Sequence, residues 1–209
     1  IKRAAARSLA NFTVFGAHKN MPGALEVIIN DPRLQLDALI LPGHVSTIIG
    51  VEPYRFLAEK YGVPGVITGF EPVDVLQGIA MIMRQLHEGR AEIEIAYARG
   101  VMPKGNPTAL AAIADVFETC PATWRGLGEI PGSGYRIRDE YAEFDAVKRF
   151  DPQVEPTQDP KGCRCGDVLR GIMAPNECPL FRKVCTPENP VGPCMVSSEG
   201  SCAAYYRYY

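Results

Sequence analysis

Apolar positions along this chain switch between two spacings, and the switching predicts helices and strands in alternation. Ile1, Ala5 and Leu9 recur every four residues, the stripe of a helix already under way where the chain opens. A short strand is predicted over 12–15, ending at Gly16-Ala17-His18, then a helix over 22–29 with Pro22 in its first turn. Residues 36–41 read as a second strand closed by Pro42-Gly43-His44, and 53–61 as a helix stopped by Gly62 and Pro64. Residues 66–68 form a third strand, ending at Gly69-Phe70-Glu71. The strongest helical pattern follows, with Val75, Leu76, Ile79, Ile82, Met83 and Leu86 expected on the inner face. Gln77, Arg84, Gln85 and Glu88 are expected outside. A strand over 92–97 precedes a helix over 107–118, with Asn106 as its N-cap and Leu110, Ile113, Ala114 and Phe117 inward. Residues 124–129 and 135–138 look like a hairpin turning at Pro131-Gly132-Ser133-Gly134.

Strands joined by helices of this length imply right-handed crossovers, so residues 1–150 are expected to form an α/β domain with a mainly parallel sheet and flanking helices. Because the helical stripe is already running at Ile1, that domain is expected to be incomplete at its N-terminus. In such a sheet ligands bind beyond the carboxyl ends of the strands. His18, the segment His44-Val45-Ser46-Thr47, Glu71 and Asn106 all follow predicted strands and are expected to share one rim. Each also has a plainer reading. A carboxylate at 71 suits the start of a helix, and Ser46 and Thr47 can satisfy local backbone groups. His87 is expected near a helix end, at the surface.

Composition narrows the classes. With 46% apolar and 22% charged residues the chain can bury a core and is not a disordered polymer. A net charge of −2 offers no broad basic face for nucleic acid, and the apolar runs are far shorter than the roughly 20 residues of a membrane span. The glycines at 126, 128, 132 and 134 have neither dinucleotide nor phosphate-loop spacing and read as turns. No serine sits in a nucleophile elbow.

The cysteines divide the chain. Cys120 stands alone, whereas the other six lie between Cys163 and Cys202, beyond a Pro-rich stretch over 151–162 that reads as a linker. Residues 163–209 are expected to form a small cysteine-rich module. Cys163, Cys178, Cys185 and Cys202 are separated by 14, 6 and 16 residues, with Cys165 and Cys194 between them. Zinc usually draws on C-x₂₋₄-C knuckles, which this tail lacks. Six paired cysteines would make a disulfide scaffold, which a domain with its own core does not need. An iron–sulfur cluster accepts four thiolates from any spacing that a compact loop structure can close. The cluster ranks first, zinc second and disulfides third, and the spacing leaves all three open.

The motifs Cys163-Arg164-Cys165-Gly166-Asp167-Val168-Leu169-Arg170-Gly171, Glu177-Cys178-Pro179-Leu180-Phe181 and the run from Cys185 to Gly200 resemble the C-terminal signature of the HypD family of nickel–iron hydrogenase maturation factors. Pro42-Gly43-His44-Val45-Ser46-Thr47-Ile48-Ile49-Gly50 and Gly69-Phe70-Glu71-Pro72 resemble two further motifs of that family. The resemblance implies an assembly scaffold with thiol redox activity more than a conventional enzyme. It implies a [4Fe–4S] cluster on Cys163, Cys178, Cys185 and Cys202, and a redox-active dithiol formed by Cys165 and Cys194. It places His44 and Glu71 at a cleft. The implied partners are a HypC-type chaperone and a HypE-type cyanide donor, with iron carrying CO and cyanide handled transiently, and the implied location is the cytoplasm. Lys161, Arg164, Arg170, Arg182 and Lys183 are candidates to offset the charge of thiolate-bound iron, against a plain reading as solvated surface.

The family also carries upstream Cys-Gly-x-His, Gly-Cys-Pro-x-Cys and Gly-Phe-Glu-Thr-Thr segments that this sequence lacks. The chain is therefore expected to keep the cluster module and most of one α/β domain, without the cysteine that holds the iron under construction. By itself it is not expected to complete maturation. Two other function classes remain beside this one: a zinc-stabilised interaction module and a general thiol-disulfide reductase.

Overall fold

In chain order the computed structural model contains α1 (Lys2–Ala5), α2 (Met21–Ile29), β1 (Leu39–Pro42), α3 (Gly43–Ile49), α4 (Arg55–Glu59), β2 (Gly65–Thr68), α5 (Pro72–Glu88) and β3 (Ile93–Ile95). There follow α6 (Pro107–Val116), β4 (Phe117–Trp124), β5 (Gly128–Ile137), α7 (Ala146–Phe150), α8 (Cys165–Leu169), α9 (Pro193–Val196) and α10 (Ser201–Tyr208). The structure describes residues 1–154 and 160–209, so part of the stretch predicted as a linker, 155–159, lies outside the described residues. Two compact units are present. The first comprises Ile1–His18, Leu36–Thr119 and Tyr135–Arg149; the second comprises Lys19–Gln35, Cys120–Gly134 and Phe150–Tyr209.

The first unit holds a parallel sheet in the order β1-β2-β3, with Ile40 opposite Val66 and Val66 opposite Glu94. This is the α/β architecture that the alternating pattern predicts. Central strand β2 is buried throughout, which is why it reads as an unbroken apolar run rather than an alternating one. Leu41, Tyr54, Leu57, Val66 and Ile67 are among the fully buried side chains of this unit. Helix α5 forms the crossover and ends at Gly89, whose left-handed φ of 65° lets its N–H reach the last carbonyls.

Three details of this unit depart from the apolar pattern. The predicted strand over 12–15 is reduced to one bridge between Val14 and Asp145. The segment after β1 is a helix, α3, not a loop. Helix α5 turns a different face inward: Asp74, Gly78, Ile82 and Gln85 are buried, whereas Leu76, Ile79, Met83 and Leu86 are exposed. Each inward polar or small residue has a specific reason to be there. A Cβ on Gly78 would stand 2.2 Å from Thr68 Cγ2, so only glycine lets the helix lie this close to β2. Gln85 donates to Glu94 (2.7 Å) and accepts the Glu92 N–H (2.8 Å), stitching the helix to β3. Asp74 is paired with Arg99.

In the second unit the tail is built from short helices. Helix α10 packs against α8, α9 and a 3-10 turn at Pro175–Glu177. The hairpin formed by β4 and β5 turns at 125–127, where Gly126 and Gly128 have φ of 80° and 83°. The predicted turn Pro131-Gly132-Ser133-Gly134 lies instead inside β5. Ser133 is buried there, accepting from Trp124 Nε1 (2.8 Å) and donating to the Ile130 carbonyl (2.7 Å). Among the described residues no helix is long and apolar enough to cross a membrane.

Candidate functional site

At the carboxyl ends of β1 and β2 the chain enters α3 and α5 almost without a loop. The two junctions are close: a Cβ on Gly43 would stand 2.3 Å from the Thr68 carbonyl oxygen. His44, in the first turn of α3, packs its ring against Phe70, centroids 5.1 Å apart. Glu71 stands at the N-cap position of α5 and is exposed, and its carboxylate accepts from Arg99 Nη2 at 2.9 Å. His44 and Glu71 therefore do share a rim.

His18 and Asn106 do not join them. His18 stacks edge-on against Phe117 at 5.2 Å and lines a cavity with Val14, Ile113 and Val116. Asn106 caps α6, accepting the Ala109 N–H at 3.0 Å. Ser46 and Thr47 donate to the carbonyls of Pro42 and His44, each at 2.7 Å, which is the local backbone role.

The rim has two residues that pattern reading passed over. Arg99 makes a bidentate contact with buried Asp74, at 2.6 and 2.7 Å, reaches Glu71 with the same guanidinium, and lies 4.5 Å from the Tyr97 ring. Arg99 follows β3 much as Glu71 follows β2, so the strand-end rule that selects Glu71 also reaches it. The Arg99 hydrogen bonds hold the Asp74 carboxyl below its ordinary range, against the opposing effect of burial and with further help from the Arg99 charge and the Glu71 N–H. A carboxyl lowered on folding contributes stability in full above the unfolded value of about 4, and that contribution fades as the pH falls through the folded value. Urea unfolding of Asp74→Asn should therefore show its largest deficit near neutrality and a smaller one near pH 3. An equal deficit at both would show that the ion pair contributes nothing.

The second unit gathers six cysteines. Cys165, Cys185, Cys194 and Cys202 are buried with Val168, Phe181, Met195 and Ala203, and half-buried Cys163 and Cys178 pack against the same cluster. All seven cysteines of the chain are thiols. Local turns aim these sulfurs. Left-handed Arg182 (φ 55°) tightens the loop between Cys178 and Cys185, and the Phe181 and Cys185 N–H groups close it at 3.0 Å each. Gly192 leaves room for Cys163, whose Sγ would be 2.5 Å from a Cβ there. Two sulfurs already accept backbone donors: Cys185 Sγ from the Val191 N–H at 3.4 Å, and Cys163 Sγ from the Cys165 N–H.

Three thiols form a chain. Cys165 donates to Cys194, and Cys194 donates to Cys202 across 3.0 Å. Burial pushes the Cys194 thiol up to about 12; its bond to Cys202 adds to the shift and its bond from Cys165 opposes it. Cys163 and Cys202 are raised for the same leading reason. At these three positions burial favours neutral sulfur until a cation takes the place of the protons.

Over residues 1–209, the entire length, the sequence matches HypD, the hydrogenase formation hypA family. The chain belongs to the HypD family. It is 48% identical over 215 residues to the hydrogenase maturation factor HypD of Cupriavidus necator, and 50% identical over 213 residues to that of Rhodobacter capsulatus. These matches cover all of this chain and 57% and 56% of the two relatives. A putative hydrogenase expression/formation protein of Methanocaldococcus jannaschii is 45% identical over 202 residues, covering 97% of this chain and 56% of its own. The chain thus spans somewhat over half the length of the curated relatives it matches.

Within this HypD-family chain the donor set suits thiolate-bound iron. Sulfur ligands, apolar walls and N–H donors to sulfur are what such a cluster needs. Among the described residues no three His, Cys, Asp or Glu side chains converge on a single metal ion. Of the bases considered for charge compensation, Arg164 is paired with Asp167 (2.7 Å) and Arg170 with Asp31 (3.5 Å). Arg182 lies over Phe181 and Tyr206, at 5.5 and 5.2 Å, and donates to the Tyr206 carbonyl. Lys161 and Lys183 are exposed.

Proposed function

We propose that this chain is an iron–sulfur scaffold with thiol redox chemistry that serves the maturation of nickel–iron hydrogenase. Its cargo is the Fe(CN)2CO unit, handled in the cytoplasm together with a HypC-type chaperone and a HypE-type cyanide donor. The observation that carries this reading is the convergence of six tail cysteines in one buried nest, in a chain of this family.

Cys163, Cys178, Cys185 and Cys202 hold a [4Fe–4S] cluster, which supplies electrons singly, and Cys165 with Cys194 forms a dithiol that exchanges them in pairs. The Val191 and Cys165 N–H groups stabilise charge on the sulfurs they meet. Phe181, Met195 and Val168 keep water from the nest. In the first unit, Arg99 holds Glu71 in place beside His44 and Phe70, and this rim is the cleft face of the α/β domain.

A single zinc ion draws its donors around one centre, whereas a polynuclear cage takes one thiolate at each iron and so accepts a wider nest. Anaerobic incubation of the reduced chain with ferrous iron and sulfide should give a brown protein with absorbance near ~400 nm. Uptake of zinc alone would support the interaction module instead. Turnover of generic disulfides by the iron-free chain would support the reductase.

A further inference from the structure

We infer that Cys194 and Cys202 are a disulfide-forming pair in the metal-free chain, and that this bond withholds Cys202 from the cluster until it is reduced. The inference rests on the ligand assignment above, and it departs from the pairing of Cys194 with Cys165. The two sulfurs are 3.0 Å apart, and both side chains are buried. A disulfide bond is about 2.05 Å long, so about 1 Å of further approach joins them. The backbone holds them there. A Cβ on Gly200 would stand 2.3 Å from the Cys194 carbonyl oxygen, so glycine alone lets α10 start directly against α9. Cys202 is the second residue of α10 and Cys194 the second of α9.

Loop length favours the same choice. Cys194 and Cys202 are 8 residues apart, whereas Cys165 and Cys194 are 29 apart. The three-halves-power law of loop closure makes the shorter loop about sevenfold easier to close in a chain not pinned by a cluster. Once Cys202 is committed to iron, Cys194 is left with its other hydrogen-bond partner, Cys165. Loading therefore changes the partner of Cys194, and reduction must come before iron.

A peroxide is the oxidant. One sulfur of the pair first gives up its proton and, as the thiolate, attacks hydrogen peroxide, breaking the O–O bond; the hydroxide released takes up that proton, so the step gives a sulfenic acid and one water. The second thiol displaces hydroxide from that sulfur, forming the S–S bond and a second water. The pair loses two electrons and two protons, and the peroxide gains both.

The test uses the metal-free chain treated with hydrogen peroxide, alkylated, and cut after glutamate. Cleavage at Glu188 and Glu199 puts Cys194 and Cys202 in separate peptides. The expected product is a Cys194–Cys202 cross-link that outnumbers Cys165–Cys194 by about sevenfold. Iron and sulfide uptake should fall to about a tenth in the oxidised chain and return with dithiothreitol. In Cys194→Ser, the ratio of treated to untreated uptake should be about one. A dominant Cys165–Cys194 link would overturn the inference, as would undiminished uptake by cross-linked protein. If the reduced chain takes up no iron, the scaffold reading fails, and the peptide map still decides the disulfide.

Discussion

If the proposed cluster is held as assigned, Cys178→Ser should lower the uptake of iron and acid-labile sulfide at least about tenfold in anaerobic reconstitution. Serine has nearly the shape of cysteine, and Cys178 is only half-buried at the edge of the nest, so packing changes little. What changes is the donor: a hydroxyl is a poor ligand for iron that prefers thiolate. The thermal midpoint of the metal-free variant should stay close to that of the parent, which separates a lost ligand from a lost fold. Cys120, in β4 and outside the nest, is the control, and Cys120→Ser should take up iron like the parent. Full uptake by Cys178→Ser would remove that residue from the ligand set.

Gly43→Ala should be strongly destabilising in the first unit. Its Cβ would stand 2.3 Å from the Thr68 carbonyl oxygen and 2.9 Å from Tyr97 Cδ1. The tyrosine ring can move, but the carbonyl belongs to the end of buried β2. Relief therefore requires α3 to retreat from the sheet, carrying His44 away from Phe70. Forced overpacking of this kind costs about 3 kcal/mol. The urea midpoint should drop correspondingly, and the ring contact of His44, followed by its proton shifts, should be lost. An unchanged midpoint would mean that the two strand ends are not in close contact.

Much of the architecture was legible because it rests on patterns with a simple cause. Buried β2 shows as a continuous apolar run, and α5 announces its length through its 3.6-residue period and Gly89. Asn106 was recognisable as a cap because its side chain can accept a backbone N–H where the helix has no carbonyl to offer. The inward face of α5 was not legible. Periodicity finds the apolar stripe, but this helix buries a paired carboxylate, a glycine and an amide with dedicated partners, and leaves Leu76 and Met83 outside. Helix α3 was hidden by Val45, Thr47, Ile48 and Ile49, β-branched residues with modest helix propensity that tertiary contact overrides.

The candidate site divides the same way. Cysteine spacing indicated which residues gather in the tail, and strand ends indicated His44 and Glu71. The order of the thiols within the nest was not legible, because it depends on Gly192 and Gly200 letting short segments touch. His18 was misplaced because the strand expected before it supplies only one bridge to Asp145, so it never reaches the sheet. Arg99 lies at a strand end that the same rule reaches, but its pairing with Asp74, 25 residues away, was not legible.

The most direct test is the acid-labile sulfide content of the chain produced and purified without oxygen. The account predicts about four sulfides and about four irons per chain, bound in the reduced, uncross-linked protein. Protein that holds zinc, or iron without sulfide, would contradict it.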